Sequence, residues 1–455
     1  MTTSQTPITL NDEWIIDSSG KVVGVQRNVG SLSGDLSQTF SAVTTNPITG
    51  GSRILAPTGG GISGLRYAIL GDSFGQRCWN GLSYRMMDYG YFTWANSFLG
   101  SPFSAGQNFG VAGENTVEIA SRVSQVIDYG PDWCFLNGGI NDAGDGIPID
   151  TAISSVKSTA LSLLNEGIKV CLLSVTPYTG HADAAWRAHR QNMALREWAR
   201  YVPNLVFVDC YGPMVNPTDA SGNLASGMSG DALHPSAKGA RAMGYAIAQA
   251  IGKYITTPTI LPSSASESWA TNANDWQLYS NPLFTGSSGS LLGGATGTVA
   301  TSWSAGVSSG TVSSCACSLV ARSDGMGNNQ RIVASGGGSG GQIQIRQGTL
   351  QSRLTMGKRI ALAAEVKISG CTDVASIGFQ FLVTMDGVTR QIHAFDPGSS
   401  VWDQADMGPL ILRTPDFLLN GAAVTSFNTF IQVTFGTSGA GAATLEMGRA
   451  AVYQF

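Results

Sequence analysis

Two short stretches of this 455-residue chain contain the residue types of nucleophilic catalysis. Asp231 lies three residues before His234 in Asp-Ala-Leu-His-Pro. In a turn, such a carboxylate can bond one ring nitrogen and leave the other as a general base. Gly71-Asp72-Ser73-Phe74 follows an apolar segment, and its glycine allows a sharp turn that exposes the serine hydroxyl. Alone, Gly-Asp-Ser is more often an ordinary turn or helix cap; with the histidine turn it predicts a nucleophile and its base.

Two glycine-rich motifs supply candidate donors for the negative charge that develops on an ester oxygen. In NFGVAGENT, residues 108–116, Gly113 precedes a predicted helix and can expose backbone N–H groups to a ligand. In GGIND, residues 138–142, the Asn141 carboxamide can donate to an oxyanion, and one such donor contributes on the order of 3 kcal/mol. Each motif alone is also typical of a tight loop. All four motifs in one region, in this order, make coincidence the poorer explanation.

The elements around these motifs predict a parallel sheet covered by helices on both faces. Apolar segments without internal alternation predict buried strands, and a helical period predicts the segments between them. Ligands of such sheets bind at the carboxyl ends of the strands. Three of the motifs fall at these ends or in the loops that face them. The strands are expected at 65–70, 132–137, 169–175 and 204–209, and the helices at 116–127, 150–167, 183–202 and 236–254.

Composition and periodicity divide the chain into three parts. Residues 1–61 form a β-rich lead segment, with a hairpin expected around 18–20. Residues 62–257 form the α/β domain, and after them an alternation of period two predicts an antiparallel β-sandwich or jelly roll over 262–455. Asp386-Gly387 predicts a hairpin within it, and the glycine-rich run 336–341 predicts a turn.

The four motifs and their order (Ser, Gly, Asn, His) resemble the SGNH or GDSL-type serine hydrolases. These are esterases and lipases with a flavodoxin-like, three-layer α/β/α domain, and the resemblance covers about residues 65–250. It implies that Ser73 is the nucleophile, His234 the base and Asp231 the residue that orients the base. It also implies an oxyanion hole formed by the N–H groups of Ser73 and Gly113 and the side chain of Asn141.

This chain departs from the family pattern in two places. Phe74 stands where leucine is common, and we expect it to lie away from the chemistry. Glu114-Asn115 follows Gly113 where the family often has Asp-Thr or Asp-Ser, which leaves Gly110 as an alternative donor.

Charge and histidine content argue against several classes of partner. Charged residues make up only 12% of the chain and its net charge is −4, so nothing favours nucleic acid or an anionic membrane. The chain has no run of 18 apolar residues and no secretory leader at its start, so we expect neither a membrane span nor secretion. No metal-binding motif contains one of the four histidines (181, 189, 234, 393), and we expect no metal or other cofactor.

Several residues outside the motifs allow either a structural or a binding role. His181, Trp186 and His189 follow a predicted strand in a segment that could line a pocket, with His189 expected on a helix surface. Tryptophans of the β-rich half could stack on sugars or anchor the core. Cysteines in apolar segments are expected in the core, the pair 315 and 317 included. The tryptophans are Trp269, Trp276, Trp303 and Trp402, and the cysteines are Cys78, Cys134, Cys171, Cys210, Cys315 and Cys317.

The order of the three parts is similar to that of phage tail-associated proteins whose SGNH domain removes O-acetyl groups from bacterial surface polysaccharide. Residues 281–305 are similar to the opening of carbohydrate-binding-like domains in such proteins. The similarity implies a virion location, an O-acetylated capsule or O-antigen as substrate, contacts of the lead segment with other tail proteins, and a homotrimer. Two alternatives stay open: a generic small-ester or lipid esterase, and a non-catalytic glycan-binding adhesin or structural virion protein.

Overall fold

The computed structural model describes residues 64–79, 84–178, 183–256, 261–269, 276–348, 350–396, 402 and 405–455, and the backbone of three short strands before them. These strands, β1 (Ile8–Leu10), β2 (Trp14–Ile16) and β3 (Val22–Gly24), form an antiparallel sheet in that order. The hairpin expected around 18–20 is therefore present as the β2–β3 pair, and its turn lies outside the described residues.

A parallel sheet of five strands forms the centre of the α/β region. Its strands are β4 (Leu65–Gly71), β6 (Phe103–Gly110), β7 (Trp133–Leu136), β8 (Lys169–Leu173) and β9 (Leu205–Val208). Their order is β6-β4-β7-β8-β9, so the second strand lies at the edge beside the first, as in flavodoxin. The flavodoxin-like prediction is confirmed. β6 was not predicted, because its sequence FSAGQNFG contains two glycines and little apolar pattern.

Helices cover this sheet on both faces. They are α1 (Ser73–Gln76), α2 (Tyr91–Phe98), α3 (Thr116–Ser121), α4 (Val123–Tyr129), α5 (Ile149–Asn165), α6 (Ala184–Ala199) and α7 (Ala237–Ile251). Successive residues of β4 point to opposite faces: Ala68 and Leu70 pack in the core beneath α5 and α6, and Ile69 packs in the core that includes α2 and α7. Predicted helix 116–127 is interrupted at Arg122, whose backbone leaves the helical region. Three short 3₁₀ turns lie at Gly252–Tyr254, Ala265–Glu267 and Gln351–Arg353.

Two sheets packed face to face form the second half of the chain. The strands are β10 (Ser290–Leu292), β11 (Thr296–Gly297), β12 (Ser304–Ser309), β13 (Val312–Ala321), β14 (Asn328–Gly337), β15 (Gln342–Gly348), β16 (Arg359–Thr372), β17 (Val374–Met385), β18 (Val388–Asp396), β19 (Met407–Arg413), β20 (Phe417–Leu418), β21 (Val424–Phe435) and β22 (Gly441–Gln454). The expected β-sandwich is confirmed, as is the β17–β18 hairpin around Asp386-Gly387. The run 336–341 falls at the β14–β15 turn. A jelly-roll connectivity stays a prediction.

The sandwich and the α/β region share a sheet and a core. One sheet has the order β10-β12-β15-β21-β17-β18, and the other the order β11-β13-β14-β22-β16-β19. A strand of the α/β region, β5 (Arg85–Met87), joins the first sheet in parallel beside β18. There Arg85 pairs with the buried Asp396, at 2.7 Å between Nη2 and Oδ1. Trp94 of α2 packs with Phe395 and Trp402, at ring-centroid distances of 4.9 and 5.4 Å.

Most of the cysteines and tryptophans named above are core residues. Cys78, Cys134, Cys171, Cys210, Cys315 and Cys317 are buried and unpaired, as predicted. Trp303 and Trp402 are each 1% exposed, so neither can stack on a sugar. Trp269 and Trp276 are half-buried against the core. Within the described residues, no helix is long and apolar enough to span a membrane.

Candidate active site

The nucleophile turn lies where β4 ends. Asp72 caps α1 by accepting the N–H of Phe74 at 2.9 Å, and Ser73 is the first residue of that helix. Ser73 is only 7% exposed, although its hydroxyl reaches the histidine. Gly71 is required here, because a Cβ at this position would lie 2.2 Å from Oδ1 of Asn137.

A buried polar network supports this turn from below. Oδ1 of Asp72 accepts a hydrogen bond from Nδ2 of Asn137 at 2.7 Å, and Oδ1 of Asn137 accepts one from the Tyr91 hydroxyl at 3.2 Å. Burial raises the pKa of Asp72 to about 6, against the opposing effect of the hydrogen bonds from Phe74 and Asn137. The turn that presents Ser73 is therefore fixed by residues from α2 and from the end of β7.

The histidine turn orients its own base. Oδ1 of Asp231 accepts the backbone N–H groups of Leu233 and His234 at 3.1 and 2.7 Å. Oδ2 lies 2.7 Å from Nδ1 of His234, and Nε2 of His234 lies 2.9 Å from Oγ of Ser73. Since the carboxylate can only accept, Nδ1 is assigned the proton, which leaves Nε2 to accept from the serine hydroxyl. Ser73, His234 and Asp231 thus form one hydrogen-bonded chain.

The charge of Asp231 is stabilised by bonds within this turn. Burial raises its pKa, but hydrogen bonds from the His234 ring and from the N–H groups of His234 and Leu233 outweigh burial and hold the pKa well below its ordinary value. Arg77 lies 3.5 Å away on the solvent side. Asp231 is half exposed, and Ala232 between the two residues takes a positive φ of 67°. Asp231 is therefore ionised at neutral pH.

The structure favours Gly113 over Gly110 as the backbone donor. The N–H of Gly110 is bonded to Oδ1 of Asn108 at 2.8 Å. Gly113 is exposed and has a φ of +85°, with open space where a Cβ would lie. Its N–H meets no acceptor among the residues that the structure describes. Asn141 joins this loop through its Nδ2, which donates to the carbonyl of Glu114 at 2.9 Å.

Further bonds connect the loops of the two donors. The buried Asp142 accepts the hydroxyl and the N–H of Thr116 at 2.6 and 3.2 Å, and Nδ2 of Asn115 donates to Asp145 at 2.9 Å. Burial raises the pKa of Asp142, against the effect of its bonds to Thr116. The loop at Gly113 also reaches the nucleophile strand, because the N–H of Val111 donates to the carbonyl of Gly71 at 2.9 Å.

A small cavity lies beside the nucleophile turn. Its volume is about 20 Å³, enough for one water molecule. Apolar side chains line it together with four polar residues, Asp72, Asn137, Ser174 and the buried Thr176, and the Thr176 hydroxyl has no partner among the described residues. Phe74 lines it too, and its ring centroid is 5.7 Å from that of His234. The expectation that Phe74 lies away from the chemistry was wrong, because its ring packs against the imidazole of His234, the proposed base.

The other residues proposed for a pocket have different surroundings. His189 lies on the exposed surface of α6, as expected, with Nε2 3.5 Å from the Tyr211 hydroxyl. Trp186 is 56% exposed at the start of the same helix. His181 lies outside the described residues. Within the residues described, no cluster of metal-ligating side chains occurs.

The supporting residues have weaker sequence signals than the proposed catalytic residues. Asp72 was part of the Gly-Asp-Ser stretch but received no role. Asn137 ends a predicted strand, and a polar side chain there is a usable signal. Tyr91 and Arg122 carry no local signal. Tyr91 bonds Asn137, 46 residues away, and Arg122 bonds Gly71, 51 residues away on another element.

A match to a known protein family covers this site. Residues 69–242 match the model of the GDSL-like lipase/acylhydrolase family, and this range contains all five predicted site residues. The match supports assigning the α/β region to this family of ester hydrolases. The chain thus contains a GDSL hydrolase domain of α/β fold, followed by a domain rich in β-strands.

Two solved structures match about two fifths of the chain. A GDSL-like lipase from Bacteroides thetaiotaomicron is 23% identical, with 42% of this chain and 89% of that chain covered and a TM-score of 0.34. A catalytic mutant of an acetylxylan esterase from Geobacillus stearothermophilus is 17% identical, with 43% and 98% covered and a TM-score of 0.36. The search of curated proteins found no significant match.

Proposed function

We propose that this protein is a serine esterase that removes O-acetyl groups from bacterial surface polysaccharide as part of a virion tail. The observation that carries the esterase mechanism is the hydrogen-bonded chain from Asp231 through His234 to Ser73, with 2.9 Å between Nε2 and Oγ. A histidine within this distance of a serine hydroxyl, itself oriented by a carboxylate, is the arrangement that activates a nucleophile.

In the first half of the reaction, Nε2 of His234 takes the proton of Ser73 as Oγ bonds to the ester carbonyl carbon. The carbonyl electron pair moves onto oxygen, where the N–H groups of Ser73 and Gly113 and the Asn141 amide stabilise it. The intermediate collapses by breaking the bond to the sugar oxygen, which receives the proton from His234. Water then repeats the sequence on the acyl-enzyme, giving its proton to His234, and acetate leaves as the proton returns to Ser73.

The cavity beside Ser73 supports a short acyl group. Asp72 and Phe74, which flank Ser73, line it, as does Ile140, which precedes Asn141. A space this small favours a short acyl chain over a longer one. We therefore expect p-nitrophenyl acetate to be hydrolysed at least about tenfold faster than the butyrate ester, in line with the 10–200-fold discrimination that hydrophobic pockets give.

An exposed tryptophan supports a sugar as the alcohol part of the ester. Trp186 is 56% exposed at the start of α6, and the next residue, Arg187, donates to the carbonyl of Ile147 in the loop after Asn141 at 2.5 Å. An exposed indole face can stack on a pyranose ring. The low charge of the chain also favours a partner recognised without ion pairs. The virion location and the homotrimer rest only on the similarity of the chain's organisation.

The esterase is tested by hydrolysis of p-nitrophenyl acetate. We expect activity in the wild type, no activity in Ser73→Ala, and full activity in the control Ser158→Ala, which changes an exposed serine of α5. Equal rates in wild type and Ser73→Ala would exclude the serine mechanism. No activity in either would favour the non-catalytic adhesin.

The substrate is tested by acetate release from purified O-acetylated capsule or O-antigen. We expect Trp186→Ala to slow release from the polymer several-fold and to leave p-nitrophenyl acetate hydrolysis unchanged. Activity on the small ester with no release from any polymer would favour the generic esterase. Detection of the protein in purified virions, and its mass in solution, test the location and the trimer.

Deletion of residues 262–455 is a poor test of glycan targeting. The deletion would remove the neighbours of β5 and expose Trp94 and Arg85, whose partners belong to the sandwich. We expect the shortened chain to aggregate, so that activity on both substrates falls together. Point variants that leave the shared core intact are therefore the informative ones.

A further inference from the structure

A largely buried ion pair lies beneath the candidate oxyanion loop. Arg122 and Glu114 are 15% and 17% exposed, and Nε of Arg122 lies 2.9 Å from both carboxylate oxygens of Glu114. The guanidinium also donates to the carbonyls of Phe109, at 2.5 Å, and Gly71, at 3.4 Å. One side chain thus contacts the ends of β4 and β6 and the loop after β6.

Each contact of Arg122 is close in sequence to a residue of the proposed chemistry. Gly71 is separated from Ser73 by Asp72 alone, and Glu114 directly follows Gly113. Glu114 also uses its carbonyl to accept Nδ2 of Asn141. The position of Glu114 therefore affects two of the three proposed oxyanion donors.

The segment directly before Gly113 is held by few side chains of its own. Residues 111–113 are exposed, and no neighbour packs where a Cβ of Gly113 would lie. The N–H of Val111 is held by the carbonyl of Gly71, the same carbonyl that Arg122 contacts. The ends of the loop are thus fixed by polar contacts: the Arg122–Glu114 pair acts directly after Gly113, and the buried bonds between Asp142 and Thr116 act further along the chain.

We propose that Arg122 and Glu114 are positioning residues of the oxyanion hole, which hold the Gly113 N–H and the Asn141 amide at a fixed distance from Ser73. This proposal rests on the proposed esterase function. A guanidinium fork can bond a carboxylate and two carbonyls at once, whereas a lysine ammonium lacks that planar geometry. Displacement of a donor by about 1 Å lowers the rate by up to about 100-fold.

The test compares Arg122→Lys and Glu114→Gln with the wild type on p-nitrophenyl acetate. We expect kcat to fall by about 10- to 100-fold while KM changes by less than about twofold, because the donors act on the transition state. The control is Arg196→Lys, which changes the exposed Arg196–Asp209 pair at 2.9 Å and should leave kcat unchanged. An unchanged kcat in both test variants would overturn the proposal.

A double-mutant cycle separates positioning from general damage. In an Asn141→Ala background, Arg122→Lys should lower kcat by less than about threefold, because one donor that it positions is already gone. The same fold-loss in both backgrounds would mean that Arg122 acts elsewhere, and would overturn the proposal. If Arg122→Lys does not fold, Glu114→Gln takes its place in the cycle.

Hydrogen exchange supplies a readout that needs no turnover. Both test variants should increase exchange within residues 108–116 and leave the sandwich strands unchanged, and equal exchange in variant and wild type would overturn the proposal. If the wild type is inactive and the variants still show increased exchange in this loop, the proposed esterase function is wrong, and the structural role of the Arg122–Glu114 pair still holds. The two failures are therefore distinguishable.

Discussion

The nucleophile turn and the histidine turn meet at one hydrogen bond but are held in different ways. Ser73 is 7% exposed and lies over a buried hydrogen-bond network. In this network Asn137 bonds Asp72, 65 positions away, and Tyr91 bonds Asn137, 46 positions away. His234 is held by Asp231, three residues away, within an exposed turn. The nucleophile is therefore positioned by the packed core, and the base by its own local sequence.

This difference predicts which substitutions affect stability and which affect only the chemistry. A buried polar group that loses its partner destabilises the fold, because neither water nor another side chain replaces the bond. A half-exposed carboxylate can be changed at little structural cost, since water reaches it. Damage to the histidine turn should thus lower activity alone, and damage beneath Ser73 should lower activity and stability together.

Among substitutions that keep Ser73 and His234, the largest effect on activity is expected from Asp231→Asn. The amide cannot stabilise the imidazolium, and it favours the wrong tautomer, so kcat should fall on the order of 10²- to 10⁴-fold. The free energy of unfolding near pH 7 should change by less than about 1 kcal/mol, since the site is half exposed. Ester hydrolysis and urea unfolding measure the two effects. A fall of several kcal/mol in stability would contradict the local character of this turn.

A smaller loss of activity, joined to a loss of stability, is expected from Asn137→Ala. The change removes the acceptor of the Tyr91 hydroxyl and one of the two hydrogen bonds that Oδ1 of Asp72 accepts, at a cost of about 1–3 kcal/mol, and kcat should fall about 10-fold. The matched control is Asn96→Ala, which removes two 3.0 Å bonds to the backbone of Phe103 at the amino end of β6, away from the site. It should destabilise the protein by a similar amount and leave kcat unchanged. Equal losses of kcat in both variants would show that the network has no special relation to Ser73.

The pH dependence of stability tests the buried charge of Asp72. An unfolded aspartate has a pKa near 4, and the folded pKa is raised to about 6, so between these values the folded state holds the proton that the unfolded chain loses. Stability should therefore fall by up to about 3 kcal/mol as pH rises from 4 to 6, and not change further above 6. Asp72→Asn keeps an acceptor for Phe74 and Asn137 and removes the charge. Its stability relative to the wild type should rise over that range, and a pH-independent difference would contradict the raised pKa.

The smallest effect is expected from Arg77→Gln. This guanidinium lies 3.5 Å from Asp231, and both side chains are more than a third exposed, so water and salt screen the pair. We expect kcat to change by less than about threefold, and less still in 0.5 M salt. A large effect would show that the charge of the histidine turn depends on its surroundings as well as on its own bonds.

The sequence predicted the strands that precede the motifs better than it predicted the sheet edges. β4, β7, β8 and β9 lie within one or two residues of the expected segments, because continuous apolar runs mark strands buried on both faces. β6 and β5 were missed, since an edge strand and a three-residue strand gain their stability from pairing with distant segments. The role of β5 in the sandwich could not be predicted, because its partner β18 lies about 300 residues away.

The sequence by itself determined the proposed nucleophile, the histidine turn and the two donor motifs, because each is a local pattern whose chemistry depends on residues within a few positions of one another. Only the tertiary structure decided three relations: that the N–H of Gly113, unlike that of Gly110, meets no acceptor among the described residues, that Asn137 supports Ser73, and that Arg122 contacts the loop of the donors. These relations depend on distances between elements far apart in the chain. Packing sets such distances, and side-chain periodicity does not encode them.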